Sequence, residues 1–447
     1  MFENHVTEPA TKTTDKRPVQ NDGFQIRRGL KRREQDLMAA NSGMKWASAS
    51  SDNPKTDGAL ERIFEKLHDD LQGARPDMAF VFASPHHTAN YARIGTTIDG
   101  ALKPEHLLGC SGGGIIGGGL ELEDKPALSV TAALLPGVEI KTFHLQDGDL
   151  PGPDDGPKRW EQAIGVQAAD DPNFVILADP YSMMRCEDML RGMDFAFPKA
   201  VKLGGLASGA SGPAQNALYR DREFQRAGTV GVAFSGALAV DTLVAQGCRP
   251  IGAPMKITRC QRNILVELDK KPALLAVQEL FESSTDADRE LMQSSLFLGI
   301  VMDPFKEGAP KPGDFLIRNL IGMDNERGVL AVGAMLDVGQ TVQFHLREAA
   351  AATLDLESVL RRYSTERLNA AKGESLPIPP RGALLFSCLG RGAHLYGKPN
   401  QDSEAFRSEF GDIPLGGFFC NGEIGPVGGT TYIHGFTSSF GIFRDKL

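Results

Sequence analysis

Cys110 opens the run Cys110-Ser111-Gly112-Gly113-Gly114. A thiol at a turn rich in backbone N–H groups loses its proton readily and attacks as a thiolate. His86 or His87, just after the apolar run Phe80–Ser84, would supply the base, and the pair would act on a small acyl or amide substrate. A second constellation lies near the end of the chain. Arg391 offers a forked cation to a carboxylate, and Glu423, in Asn421-Gly422-Glu423, offers an acceptor to an amine. Together they would hold a zwitterion such as an amino acid; alternatively they pair with each other as a buried bridge. Neither histidine has further His, Cys or carboxylate neighbours at a ligand spacing, so no metal is expected. The glycine turns lack the Lys-Ser/Thr of a phosphate loop, and the first apolar run leads into Pro85-His86-His87 rather than a dinucleotide fingerprint. No cofactor is expected.

The elements that must position these residues repeat. Phe80–Ser84, Val175–Asp179 and Leu384–Cys388 each read as a buried strand. Each precedes a Leu-Gly step, at Gly109, Gly204 and Gly416, by a helix-sized gap of similar length, and an apolar stretch follows: Ala127–Leu135, Thr229–Leu238 and Phe436–Phe443. Leu60, Ile63, Phe64, Leu67 and Leu71 recur at the spacing of a helix with one buried stripe. Between the second and third units, Pro272–Phe281 reads as a helix and Gln293–Met302 as a strand. Asp314–Asp324 starts as a strand, Gly328–Met335 and Gln340–Leu346 form a hairpin pair, and a helix follows from Glu348 to about Lys372. Strands alternate with helices throughout. The fold class is α/β, layered as α+β: two mixed sheets packed face to face with outer helices, built from pseudo-repeated strand-helix-strand-glycine-turn units.

Composition narrows the function classes. The chain has 447 residues and a net charge of −9, which argues against an electrostatic grip on nucleic acid or an anionic membrane. Its six scattered cysteines lack a C-x-x-C pair and fit a reducing compartment. There is no long apolar run and no hydrophobic leader, so a cytoplasmic location is expected. Residues 1–43 are polar and read as a disordered tail, with Met44 as the true start of the folded chain.

The stretches FVFASPHH, LLGCSGGGIIGGGLELE and KLGGLASGASG, followed by DFLIRNLIGMD, GQTVQFHLRE, LLFSCLGRG and PLGGFFCNGEIGPVGG, resemble the FIST family from Trp46 to Arg444. The resemblance implies a FIST-N-like domain over 44–270 and a FIST-C-like domain over 271–447. It also implies a sensor of small molecules, with amino acids or their relatives as ligands, and brings no defined catalytic constellation. Residues 1–43 are too polar for the helical bundle of an F-box, so the signal would pass to a partner chain. The expected cleft is lined by Ser84, His86, His87, Cys110, Ser111, Gly112, Gly113, Arg391, Asn421 and Glu423. Two other readings stand beside it: the Cys110 enzyme, and an adaptor whose surface is the functional part.

Overall fold

The structure is a computed structural model that describes Met1 and residues 43–306, 308–370 and 378–446. The expected tail therefore lies, apart from Met1 and Gly43, outside the described residues. Residues from Met44 onward form one compact unit.

Three six-stranded mixed sheets repeat one plan. In the first, the order is β1 (Lys45–Ser51), β6 (Leu128–Leu134), β2 (Met78–Ala83), β3 (His106–Ser111), β10 (Leu218–Arg220), β11 (Glu223–Gln225). The second runs β7 (Val138–Leu145), β12 (Thr229–Gly236), β8 (Asn173–Ala178), β9 (Lys202–Leu206), β23 (Glu423–Val427), β24 (Thr430–His434). The third runs β13 (Leu238–Ala245), β25 (Ser438–Asp445), β21 (Gly382–Cys388), β22 (Leu415–Cys420), β4 (Ile115–Gly117), β5 (Leu120–Leu122). In each, the two central strands are parallel and joined through helix, and the other neighbours are antiparallel. The outer hairpin of each sheet comes from another unit: β10–β11 from the second lies on the first, β23–β24 from the third on the second, and β4–β5 from the first on the third. Equivalent backbone bonds mark the three joins: Ser111 N–H to Ala217 O, Leu206 N–H to Gly422 O and Phe419 N–H to Gly114 O.

The repeat expected from spacing is thus present, with one shift. Register places Gly109 opposite Val81, Gly204 opposite Ile176 and Gly417, not Gly416, opposite Leu385. The expected pair of sheets is corrected to three. Period-2 alternation makes the reason plain: Phe80 and Phe82 point inward to one core shared with Val175, Leu177, Phe386 and Phe418, so each unit adds its own inner face. The intervening residues, Ala79 and Val81 in β2, face outward and are covered by the helices Thr56–Leu71 and Tyr91–Ala101. The helix Cys186–Ala196 covers the second sheet, and Ala349–Ala370 and Gln401–Phe410 cover the third.

The remaining strands close into an antiparallel barrel: β14 (Cys248–Gln261), β20 (Thr341–Arg347), β17 (Leu296–Val301), β18 (Phe315–Asp324), β19 (Val329–Val332), β15 (Ile264–Leu268) and back to β14. A two-residue strand, β16 (Lys271–Pro272), extends β15. The hairpin expected from the last two apolar stretches is also corrected. β19 pairs with β18 and β15, and β20 with β17 and β14. Barrel closure seats β20 between β14 and β17 instead of beside β19. The boundary expected after residue 270 falls between β15 and β16, within the barrel's own sheet.

Candidate functional site

The strand-end loops of the three units converge. Ser84 Oγ accepts the Ala127 N–H at 2.9 Å and lies 3.3 Å from His86 Nδ1. Ser111 Oγ donates to Asn216 Oδ1 at 3.0 Å, and the Gly112 N–H is bonded to Ala83 O. Gly113 N–H donates to Ser208 Oγ, and Ser208 in turn reaches Phe419 O, so residues of all three units meet at this serine. The contact is close: a Cβ on Gly113 would lie 2.5 Å from Leu389 Cδ2, and one on Gly209 2.6 Å from Pro85 Cγ. These glycines serve loop-on-loop packing. Asn421 is exposed and its N–H is bonded to Leu206 O.

Cys110 does not have the surroundings of a nucleophile. It is fully buried in the shared core, and burial pushes its thiol well above the ordinary range. His87 Nδ1 lies 3.0 Å from Thr56 Oγ1, and His86 faces Ser84. Among the described residues, no hydrogen bond joins Cys110 to a histidine. The expected partners of Cys110, His86 and His87, are instead engaged by Ser84 and Thr56.

Arg391 and Glu423 are not paired with one another. The Arg391 guanidinium, wholly buried, grips Asp402 through Nε and Nη2, each at 3.0 Å. Ser387 Oγ and Tyr396 Oη also bond Asp402, at 3.0 and 3.1 Å, and Ser438 Oγ completes the shell. Burial raises the Asp402 pKa, but the Arg391 charge more than offsets this and holds the carboxyl below its usual range. The exchanged β4–β5 hairpin adds Glu121, whose Oε1 accepts the Ser403 N–H at 2.7 Å. Glu123, just beyond it, accepts the Ala393 N–H at 2.9 Å. Two acids from the first unit thereby cap helices of the third. Burial first, and the Asp402 charge second, push Glu121 upward.

Glu423 sits at the seam of the third unit and the barrel. Its Oε2 accepts from Thr437 Oγ1 at 2.8 Å and Thr437 N–H at 3.1 Å, while Oε1, equally buried, has no partner among the described residues. Burial pushes its carboxyl up to about 8 against those bonds. Its charge, when present, reaches Arg318 on β18.

Arg318 opens onto a cavity of about 850 Å³. One wall is the helix Cys186–Ala196, through Glu187, Leu190 and Arg191; another is β24, through Thr430 to Ile433; the barrel supplies the third, including Asn263, Ile300, Leu316, Ile321 and Met335. The Arg318 side chain is only 12% exposed. Nη1 donates to the Ile317 carbonyl at 3.2 Å and Nη2 lies 3.6 Å from Glu187 Oε1, a carboxylate that is itself 58% exposed. A guanidinium carries five N–H donors in a planar fork, and among the described residues these contacts engage only part of it. Burial lowers the Arg318 pKa, and the Glu187 and Glu423 charges act the other way. Such a group binds a carboxylate well, because a bidentate, charge-assisted pair replaces the lost water. Arg318 and Glu187 were not among the residues expected from sequence.

The buried acids and histidines set a pH profile. His345 and His434 are held down to about 4 by burial. A histidine of this kind loses its stabilising contribution as pH falls from 6.5 toward 4. A carboxyl like Glu423 holds its proton more tightly when folded, so its contribution fades as pH rises from 4.5 to about 8. The two trends oppose each other below pH 6.5, and only the carboxyl trend remains above it. We expect unfolding free energy to decline between pH 6.5 and 8, by up to about 1.4 kcal/mol per pH unit for each such carboxyl. Urea titrations at both pH values, with Glu423→Gln as the flattened control, measure it; a profile that rises over this window refutes the assignment.

Comparison with known proteins places this geometry. The FIST N domain family matches residues 77–271 and the FIST C domain family matches residues 273–426. An uncharacterized protein of Mycobacterium tuberculosis is 36% identical over 377 residues, which span 84% of this chain and 94% of that protein. An uncharacterized Mycobacterium bovis protein is 34% identical over 382 residues, 86% of this chain and 94% of its own. The human F-box only protein 22 is similar over a shorter stretch, 31% over 110 residues, or 24% of this chain and 27% of that one.

Proposed function

This chain belongs to the FIST family, and from that premise we propose that it binds a small anionic metabolite in the Arg318 cavity and passes the occupancy to a partner protein. The observation that carries the reading is Arg318 itself, a nearly buried guanidinium lining a cavity of ligand size, with only part of its fork engaged among the described residues. The cavity's walls come from the second unit's helix, the third unit's hairpin and the barrel. A ligand that bridges them favours one arrangement of these parts by its differential affinity, which is what a sensor requires. Amino and keto acids fit the charge of the site, because their carboxylate meets Arg318. Among the described residues, no helix is long and apolar enough to cross a membrane.

Thermal unfolding against a panel of carboxylates, amines and neutral analogues tests the reading. A carboxylate at 100 times its Kd is expected to add about 2.7 kcal/mol of stability. Arg318→Gln keeps a polar side chain on β18 and is expected to weaken that carboxylate at least about tenfold, through loss of charge-assisted bonds of roughly 1.5–3 kcal/mol. A shift of the same size in wild type and variant would remove Arg318 from the site, and absence of any shift across the panel would leave the proposal without support.

A further inference from the structure

The walls beside Arg318 are not uniformly polar, and their order along β18 specifies more than charge. Leu316 and Arg318 are two residues apart and share a strand face. The pairing of β18 with β19 then breaks register between Leu320 and Gly322, and such a bulge re-aims the side chains that follow it. Ile321 thereby joins the same cavity wall, where it is 60% exposed, and Met335 lies across from it at 63% exposure. Ile300 and Ile433 complete an apolar strip. The cavity pairs a nearly buried cation with exposed aliphatic side chains, alongside the exposed charges of Glu187 and Arg191. Exposed large apolar residues that adjoin a pocket mark a surface meant to be covered.

We infer that the preferred ligand is an aliphatic monocarboxylate, its carboxylate on Arg318 and its chain laid along Leu316, Ile321 and Met335. The inference rests on the proposed function and narrows it from small anions to amphipathic ones. A compact dianion would satisfy Arg318 but leave the exposed aliphatic side chains uncovered, and an aliphatic amine would place its charge against the guanidinium.

Calorimetric titration of the full chain with butanoate, octanoate, succinate and octylamine tests it. Each fully buried methylene tightens binding about fourfold, so octanoate, with its outer chain in part exposed, is expected to bind at least about tenfold more tightly than butanoate or succinate. Octylamine is expected not to bind. Ile321→Ser, a neutral change at an exposed position where folding is not at stake, is expected to weaken octanoate about tenfold and butanoate by much less. Butanoate or succinate binding as tightly as octanoate overturns the inference while the anion site stands, as does an Ile321→Ser variant with unaltered octanoate affinity. Octylamine matching octanoate overturns the placement of the carboxylate on Arg318. Failure of all three carboxylates overturns both the inference and the function it rests on.

Discussion

Asp402→Ala is expected to destabilise the protein by about 3–5 kcal/mol, the range for breaking a buried ion pair from one side. Arg391 is wholly inside the protein and its charge has Asp402 as its carboxylate partner. Truncating the acid strands a cation and also removes the acceptor of Ser387, Ser438 and Tyr396. Asp402→Asn separates the contributions, since it keeps the shape and most acceptor capacity but not the charge. It should fall between wild type and alanine. A double replacement, Arg391→Met with Asp402→Leu, is expected to recover part of the loss because neither charge is then buried. Urea unfolding followed by circular dichroism gives these differences, and a loss below about 1 kcal/mol for Asp402→Ala would show that water reaches Arg391 after all.

Gly417→Ala is the second large effect. Its φ is +146°, and an added Cβ would stand 1.9 Å from the Leu385 carbonyl oxygen on the neighbouring parallel strand. Gly204 repeats the case with φ of +150° and 1.8 Å to Ile176 O. Backbone here cannot move without separating the two central strands of a sheet. Strain of about 1–3 kcal/mol and overpacking of about 1–3 kcal/mol both apply, so a total of about 3–5 kcal/mol is expected at either site. Gly428→Ala is the contrasting case: its φ is +60° but nothing lies within 4 Å of the added carbon, and about 1–2 kcal/mol is expected from the left-handed conformation alone. Equal losses at Gly417 and Gly428 would mean that close approach plays no part.

The three units could be read from the chain because buried parallel strands leave continuous apolar runs, and because the close backbone approach at Gly109, Gly204 and Gly417 admits no side chain. The offset at the third glycine was hidden, since Gly416 and Gly417 are adjacent and only the register distinguishes them. Hairpin exchange was not readable: β4 and β5 have three residues each, and nothing local tells β4 to pair with β22 some 300 positions later. The partner of Arg391 was missed for a related reason. Glu423 and Asp402 are both acids, and it is helix placement, not spacing, that puts Asp402 under the guanidinium. Arg318 had a weak signal, as the one cation of β18. Its importance comes from facing a cavity whose other walls lie far away in sequence.

The hairpin exchange is a closed cycle: the first unit gives to the third, the third to the second, the second to the first. Cut free, one unit would have an uncovered receiving edge and an unattached hairpin, and these are complementary but unable to meet within one copy. Head-to-tail edges of this kind close into rings when the rotation permits, and here three such joins do close. The protein is in effect a three-membered ring assembly written into a single gene. A single chain holds the three units at a fixed stoichiometry, and it accommodates an insertion as large as the barrel between the second and third.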